Sequence, residues 1–556
     1  MPSRHDIQAA TQAAILAFLP AFALLINFLN YQDYPYFHTE TLVVMAALLA
    51  LPLLALILSA LWRPAGYVVA AVAIFAYVDS VLPIMQKLAA LDSMGLRQRW
   101  RFIIYLAAIV LICWLLFRIG AAARKALIVV FSVVLLSTVV GGIVLAKSDS
   151  PVRNDVKADA NADPSLPPYI HLVFDAHIGM NGVPTEIPGG ISMRDTVAGV
   201  LERHGFRIFP GAFSHYNHTR ESLSNLLGFT ESDARFGGVV KRNRLFEALK
   251  GRGYKIHVFG TDHLDYCEPD GVQVDDCYRF KVTGLNGLKS EDVSRTKKSL
   301  LIAGHWVATM TSIQFGRYMI VTALSQLAGL KLDDVPLVGP NAYYDRSNGV
   351  NSIVAFKNFK GDVRDHPSGT AFFAHFILPH EPYIYDENCR PIADARGWSS
   401  AFGFPKDTLP DSERLERYKL YFEQTKCVAH LLDDWFGELQ RAGMLNRATI
   451  VVHGDHGSRI TGRPTVASYN GADWRRVVRD SYSALFAVHA PGIAPGMDPA
   501  VKPINRLARE LIESPDRLSQ PAPDGLFLML ATTTDDSNPE PLHRYPVPAE
   551  FFAAGP

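Results

Sequence analysis

Residues 448–457 read ATIVVHGDHG. A run of strand length, rich in β-branched residues, ends abruptly in an Asp–His pair held between two glycines. Apolar runs this short, bounded by turn residues, suit strands buried on both faces. In open α/β sheets such strands deliver ligand-binding groups at their carboxyl ends. Glycines on either side free the backbone, so a carboxylate and an imidazole can be turned on one cation. A mixed oxygen and nitrogen set suits Zn²⁺ or Mn²⁺ better than Ca²⁺.

Working outward, four further apolar runs read as strands: Ile170–Phe174, Lys255–Phe259, Thr370–Leu378 and Ala484–His489. Helical periodicity falls between them, over Met193–His204, Glu221–Phe229, Asn243–Lys250, Ser412–Arg441 and Lys502–Ile512. Strands alternating with helices predict an α/β fold, a mostly parallel sheet covered by helices on both faces. Two more strands end in polar residues. The first runs into Asp175, with His177 close behind; alone, Asp175 reads equally as a turn former. The second carries His375 and delivers His380 between Pro379 and Pro382. Between them, Thr219 stands just before the predicted helix Glu221–Phe229. It is either the N-cap, or a hydroxyl placed where free N–H groups and the helix dipole stabilise an alkoxide and a phosphate oxygen.

The 556 residues exceed one ordinary domain, and Lys+Arg (54) equals Asp+Glu (54), which gives no support for a nucleic-acid partner. Up to Ala146 the chain is largely apolar. Five segments, Thr11–Tyr31, Thr41–Trp62, Gly66–Met85, Phe102–Phe117 and Ala126–Ala146, approach the roughly 20 residues a membrane helix needs. Arg4, Arg63, Arg118, Arg124 and Lys125 fall on one side of five such crossings. The positive-inside rule then places the amino terminus in the cytoplasm and the rest of the chain outside. Lys87, Arg97, Arg99 and Arg101 disagree, and Leu88–Trp100 is expected to lie along the outer leaflet as an amphipathic helix. Asp79, inside the third span, is either functional or an interfacial residue near Pro83. The expected order is a transmembrane region 1–146, a linker 147–168, a catalytic domain 169–515 and a carboxy-terminal extension 516–556.

Of five cysteines, Cys113 lies in an apolar run; Cys267, Cys277, Cys389 and Cys427 lie in the outer part. An even number there suits two disulfides, Cys267–Cys277 and Cys389–Cys427 by sequence proximity among three pairings, rather than reduced thiols or a zinc site.

In order, Asp175, Thr219, His380 and Asp455-His456 resemble the alkaline-phosphatase/sulfatase superfamily. GDHG at 454–457 and HFILPHEPY at 375–383 are the most specific pieces. The membrane plan is similar to that of lipoteichoic acid synthases and lipid A phosphoethanolamine transferases, which join five spans to an outward sulfatase-like domain. The resemblance runs from the spans to about Gly492, and TRES at 219–222 matches the transferases' nucleophile segment, with Ser222 as its second hydroxyl. It implies Asp175, Thr219, Asp455 and His456 as ligands of one zinc or manganese. A second ion is compatible with it, without an identifiable ligand set. Thr219 becomes the nucleophile, and His380, with His375, contacts substrate. Two departures stand out: Asp175 replaces the transferases' usual Glu, and no cysteine lies near Thr219. The Cys/Ser-x-Pro-x-Arg motif that generates formylglycine is absent from the sequence.

The leading expectation is a phosphotransferase of the bacterial inner membrane, its catalytic domain periplasmic. It moves a phosphoglycerol- or phosphoethanolamine-type group from a phospholipid donor to an envelope lipid or glycan through a Thr-linked intermediate. Alternatives are a phosphatase, phosphodiesterase or sulfuric ester hydrolase at the same site, and a non-catalytic membrane scaffold.

Overall fold

The computed structural model describes residues 3–148 except 33, 63, 83 and 85–97; 163; 165–280 except 239; 285; 288; 294–309; 347–392; 411–533 except 463, 469–473 and 523–524; and 540–553. Most of the amphipathic helix expected at 88–100, and most of the linker at 147–168, lie outside these residues. Two compact units emerge. The first comprises Met1–Ser150 and Leu288–Tyr344, the second Pro151–Gly287 and Asp345–Pro556.

In the first unit the apolar runs are helical. Arg4–Tyr31, Thr39–Leu61 and Ala121–Gly141 are long and apolar enough to cross a membrane; Ala65–Val81 and Ile103–Arg118 are shorter apolar helices. Ser3 opens the first helix with a capping box, accepting from the Asp6 N–H while the Asp6 carboxylate accepts from the Ser3 N–H. The second run breaks into Thr39–Ala47 and Ala50–Leu61. Pro52 explains the break, because it has no N–H for the carbonyl four residues back. Arg124 ties helix ends together, donating to Gln12 Oε1 at 2.8 Å and to the carbonyls of Leu116 and Ile119 at 3.1 and 2.6 Å. Asp79 is buried on Ala65–Val81. A later helix, Arg295–Thr309, also belongs here. It packs on Thr39–Ala47, with His305 buried beside Phe28.

The second unit is built on an eight-stranded sheet, β5-β4-β6-β1-β7-β8-β2-β9. Its strands are β1 (Tyr169–Phe174), β2 (Arg207–Ile208), β4 (Lys255–Thr261), β5 (Asp276–Phe280), β6 (Thr370–Phe376), β7 (Thr449–Gly454), β8 (Phe486–His489) and β9 (Gly496–Met497); β3 (Ala212–Phe213) pairs outside it. From β5 to β7 all pairings are parallel; β8 runs antiparallel to both β7 and β2. Side chains alternate across the sheet with period two. Ile170, Leu172, Phe372, Ala374, Phe376 and Val452 enter one core with the helices Gly190–Arg203, Ser347–Asp365 and Asp411–Arg441. Tyr169, Val173, Ala371, Phe373 and Val451 enter the opposite core, with Thr219–Gly228, Arg244–Gly251 and Ile504–Glu513. Strands buried on both faces account for the unbroken apolar runs of the sequence. Cys267 is bonded to Cys277 and Cys389 to Cys427, across 10 and 38 residues of chain. Near the carboxy terminus a hairpin, Phe527–Leu530 with His543–Pro546, packs Leu528 and Leu530 against Phe213, Val478 and Tyr482.

Candidate metal centre and active site

β1, β6 and β7 lie side by side and parallel, so the segments leaving their carboxyl ends meet at one edge of the sheet. Asp175 extends β1 by one more bond, its N–H donating to the Phe376 carbonyl at 2.9 Å. The next residue, Ala176, takes a left-handed φ of 60°, and its N–H turns onto Asp455 Oδ1 at 2.8 Å. The His456 N–H donates to the same oxygen at 2.9 Å. Two backbone donors therefore fix one oxygen of Asp455 and direct the other, Oδ2, at the centre.

The two glycines of GDHG act differently from expectation. Neither has a positive φ. A Cβ at Gly454 would lie 2.1 Å from the His177 carbonyl oxygen, and one at Gly457 would lie 1.9 Å from that of Asp480. What these positions require is room for close backbone approach.

Asp175, Asp455 and His456 bring ligand atoms within 4.8 Å of one another, all three buried. His456 Nε2 is 3.2 Å from Asp455 Oδ2 and 3.7 Å from Asp175 Oδ1. Its Nδ1 lies 2.8 Å from the Gly457 carbonyl, which can only accept, so Nδ1 carries the proton and Nε2 turns a lone pair on the carboxylates. Thr219 Oγ1 closes the group, 3.5 Å from Asp175 Oδ2 and 3.3 Å from His456 Nε2. Asp175 Oδ1 and Asp455 Oδ2 are buried without hydrogen-bond partners. Carboxylate oxygens and a lone pair gathered out of water are favourable only around a positive charge. The donor set therefore fits a divalent cation.

Thr219 is the first residue of its helix; the N-cap is His218, and no side chain caps it. The first helical bond is from the Ser222 N–H to the His218 carbonyl, at 2.9 Å. The N–H groups of residues 219–221 thus have no carbonyl acceptor within the helix. Ser222 is engaged elsewhere: its hydroxyl donates to the Asp455 carbonyl at 2.6 Å and meets Ser214 Oγ at 2.9 Å.

His375 and His380 sit differently. His375 is fully buried on β6, with Nδ1 2.9 Å from the Tyr266 hydroxyl and Nε2 3.6 Å from Asp175 Oδ2. His380 is half-buried, and both prolines framing it follow cis peptide bonds. Gln424 holds its loop, donating to the Pro379 and His380 carbonyls at 3.1 Å each. His177 is buried, bonds the Ile178 carbonyl, and is not among the converging ligands. Sequence reasoning misses two neighbours. Tyr266 lies in a loop far from any motif. Arg459, two residues past GDHG, stands within the motif's own stretch, where a longer reading could have found it. It is buried, has a φ of 60°, and reaches both His380 Nε2 at 2.9 Å and the Asn217 carbonyl at 3.1 Å. A guanidinium only donates, so His380 Nε2 accepts, and its Nδ1 donates to the Glu381 carbonyl at 2.6 Å.

Burial works to raise the Asp175 carboxyl, but protons on the facing imidazoles, His380 first, then His375 and His456, would outweigh it and hold that group well below the usual carboxylate range. Asp455 moves the other way: burial, then the charge of Asp175, pushes it up to about 6. Burial, then the Arg459 cation, keeps His456 neutral. Without a cation, Asp455 therefore holds a proton below about pH 6, which an incoming ion must displace. Metal affinity should fall about tenfold from about pH 6 to pH 5 through this group, and change little through it above pH 7. Metal titrations across that range check the slope; a flat profile below pH 6 contradicts it.

Residues 200–475 match the family Sulfatase, a span holding Thr219, His375, His380, Asp455 and His456 but not Asp175. No curated protein matches the chain. Among solved structures, it is similar to a lipoteichoic acid synthase from Listeria monocytogenes, at 13% identity and a TM-score of 0.34, covering 66% of this chain and 78% of that one. It is similar to the C-terminal periplasmic domain of EcEptC from Escherichia coli, solved with zinc, at 12% identity and a TM-score of 0.36, covering 69% and 94%. It is also similar to a phosphonate monoester hydrolase from Silicibacter pomeroyi, at 14% identity and a TM-score of 0.39, covering 66% and 79%. The Sulfatase match, over residues 200–475, indicates an enzyme of the phosphoester or sulfate-ester class.

Proposed function

We propose that the second unit transfers a substituted phosphate, of the phosphoglycerol or phosphoethanolamine type, from a membrane phospholipid to an envelope lipid or glycan. One observation carries this reading: an uncapped threonine hydroxyl at a helix amino terminus, within 3.5 Å of a buried carboxylate and an imidazole lone pair. Asp175, Thr219, Asp455 and His456 would hold one zinc or manganese ion. Bound there, the ion supplies a Lewis acid that lowers the hydroxyl's pKa and neutralises charge on the ester oxygens. The Thr219 oxygen forms a bond to phosphorus as the bond to the lipid's alcohol oxygen breaks. The proton lost by Thr219 balances the one gained by the departing alcohol. The acceptor's hydroxyl then repeats the substitution and regenerates threonine. The free N–H groups of the helix start stabilise the equatorial oxygens. Arg459 and His380 face the substituent or leaving group, and His375 lies behind Asp175, its Nε2 3.6 Å from Oδ2.

The Sulfatase match favours a second reading, ester hydrolysis at the same threonine, in which water replaces the acceptor. Mass spectrometry of envelope lipids and glycans, with and without the protein, separates the two. Transfer predicts that one phosphate-linked substituent disappears from an envelope component in its absence. An unchanged envelope, with ester turnover by the purified protein, supports hydrolysis instead.

Five membrane crossings would place the second unit in the periplasm, in keeping with its two disulfides. Protease added to intact spheroplasts should digest it; protection until the membrane is opened would reverse the orientation.

A further inference from the structure

A second group of buried ligands lies on the other face of the sheet. His257 of β4 is paired in register with Phe372 of β6, and Phe372 belongs to the core beneath Ser347–Asp365. His375, three residues on, therefore points to the opposite face. Asp362 and His366 stand one helical turn apart, so both reach the same side of their helix. His257 Nδ1 is 2.9 Å from Asp362 Oδ2, and His366 Nδ1 is 3.0 Å from Asp362 Oδ1. Ligand atoms from the three residues lie within 4.8 Å of one another, and all three are buried. Asp276 of β5 is the register partner of His257 on the adjacent strand, so its side chain emerges on the same face.

Charge decides what this group needs. Among the described residues, neither Asp362 nor Asp276 is paired with a lysine or arginine, whereas the adjacent Asp275 takes Lys250. A buried carboxylate facing two imidazoles is balanced by one added positive charge, a cation or a proton. His366 Nδ1 also lies 3.1 Å from the Asp362 carbonyl, which leaves its Nε2, buried without a hydrogen-bond partner, as that ring's open ligand atom.

We propose that His257, Asp362 and His366 form a structural site for a zinc-class divalent cation. Its place in the chain gives it a task. His257 precedes the segment Leu288–Tyr344, which belongs to the first unit; Asp362 and His366 come after it. A metal here clamps the point where the chain leaves the second unit to the point where it returns, closing a long loop whose free ends would be entropically costly to hold together. The proposal is independent of the reaction assigned to Thr219.

The test uses the full chain purified in detergent, loaded with zinc and desalted. The Asp455→Ala/His456→Ala variant should retain about one zinc per chain. Adding Asp362→Asn and His366→Gln should remove it and lower the thermal midpoint. If the added substitutions prevent folding, cobalt titration of the unaltered protein decides instead, through visible absorption: two saturable steps are expected, one of them surviving in Asp455→Ala/His456→Ala. No zinc retained in that variant, or no cobalt step surviving in it, overturns the proposal. Either result would mean a hydrogen-bonded His–Asp–His trio holding an extra proton in place of the ion.

Discussion

Replacing Thr219 with alanine should lower turnover roughly a thousand-fold or more, as losing a covalent nucleophile does. The fold should survive. Thr219 is not the N-cap and its hydroxyl holds no backbone group, so stability should change by about 1 kcal/mol or less. Thr219→Ser keeps a hydroxyl on the same carbon and should retain measurable activity. The rival hydroxyl, Ser222, is committed to the Asp455 carbonyl and to Ser214. Ser222→Ala should act by loosening the Asp455 segment, and so should affect metal retention as well as rate. Trapping the protein with a chromogenic phosphodiester and mapping the modified peptide gives a direct readout. Modification of Ser222 or Ser224, or full activity in Thr219→Ala, would sink the assignment.

The second large effect is on metal content. Asp455→Ala with His456→Ala should abolish binding at the centre, since the pair supplies two of the four proposed ligands. Alanine at 455 also removes the acceptor of two backbone N–H groups, those of Ala176 and His456. That loss costs about 1–3 kcal/mol for each donor left buried and unpaired. Asp455→Asn separates the two roles. Its amide oxygen can keep both backbone bonds, while its nitrogen cannot ligate. Weakened metal with near-normal stability is expected, read by elemental analysis beside a denaturation curve. Full occupancy of the centre in the double variant would exclude this ligand set.

How much of the molecule is legible in sequence depends on where the information lies. β1, β6 and β7 are legible because each is a continuous apolar run ending in a charged or imidazole residue. Neighbouring strands then bring Asp175, His375 and Asp455-His456 together without further assumption. The two-residue strands β2 and β9 carry no pattern, being held by their partners alone. The antiparallel turn of β8 is invisible for a related reason, since a four-residue apolar strand reads the same in either direction. Tyr266 and Arg459 are missed because an isolated polar residue acquires meaning only from what it touches. The glycines of GDHG suggest freedom of φ, whereas the structure uses their missing side chains. Periodicity describes a chain one element at a time and is silent on which distant backbone passes so close that a Cβ at Gly454 would lie 2.1 Å from the His177 carbonyl oxygen. The same blindness hides the grouping of Arg295–Thr309 with the amino-terminal helices.

That grouping bears on how the second unit could be released if the amino-terminal helices lie in a membrane. The chain passes between the two units three times, near residues 150, 287 and 344. A single cut between the amino-terminal helices and Tyr169 would leave a carboxy-terminal fragment that still contains Arg295–Thr309, packed on Thr39–Ala47. Such a fragment remains anchored by side-chain packing after its covalent tether is gone. Shedding a soluble enzyme would take two further cuts, on either side of residues 288–344.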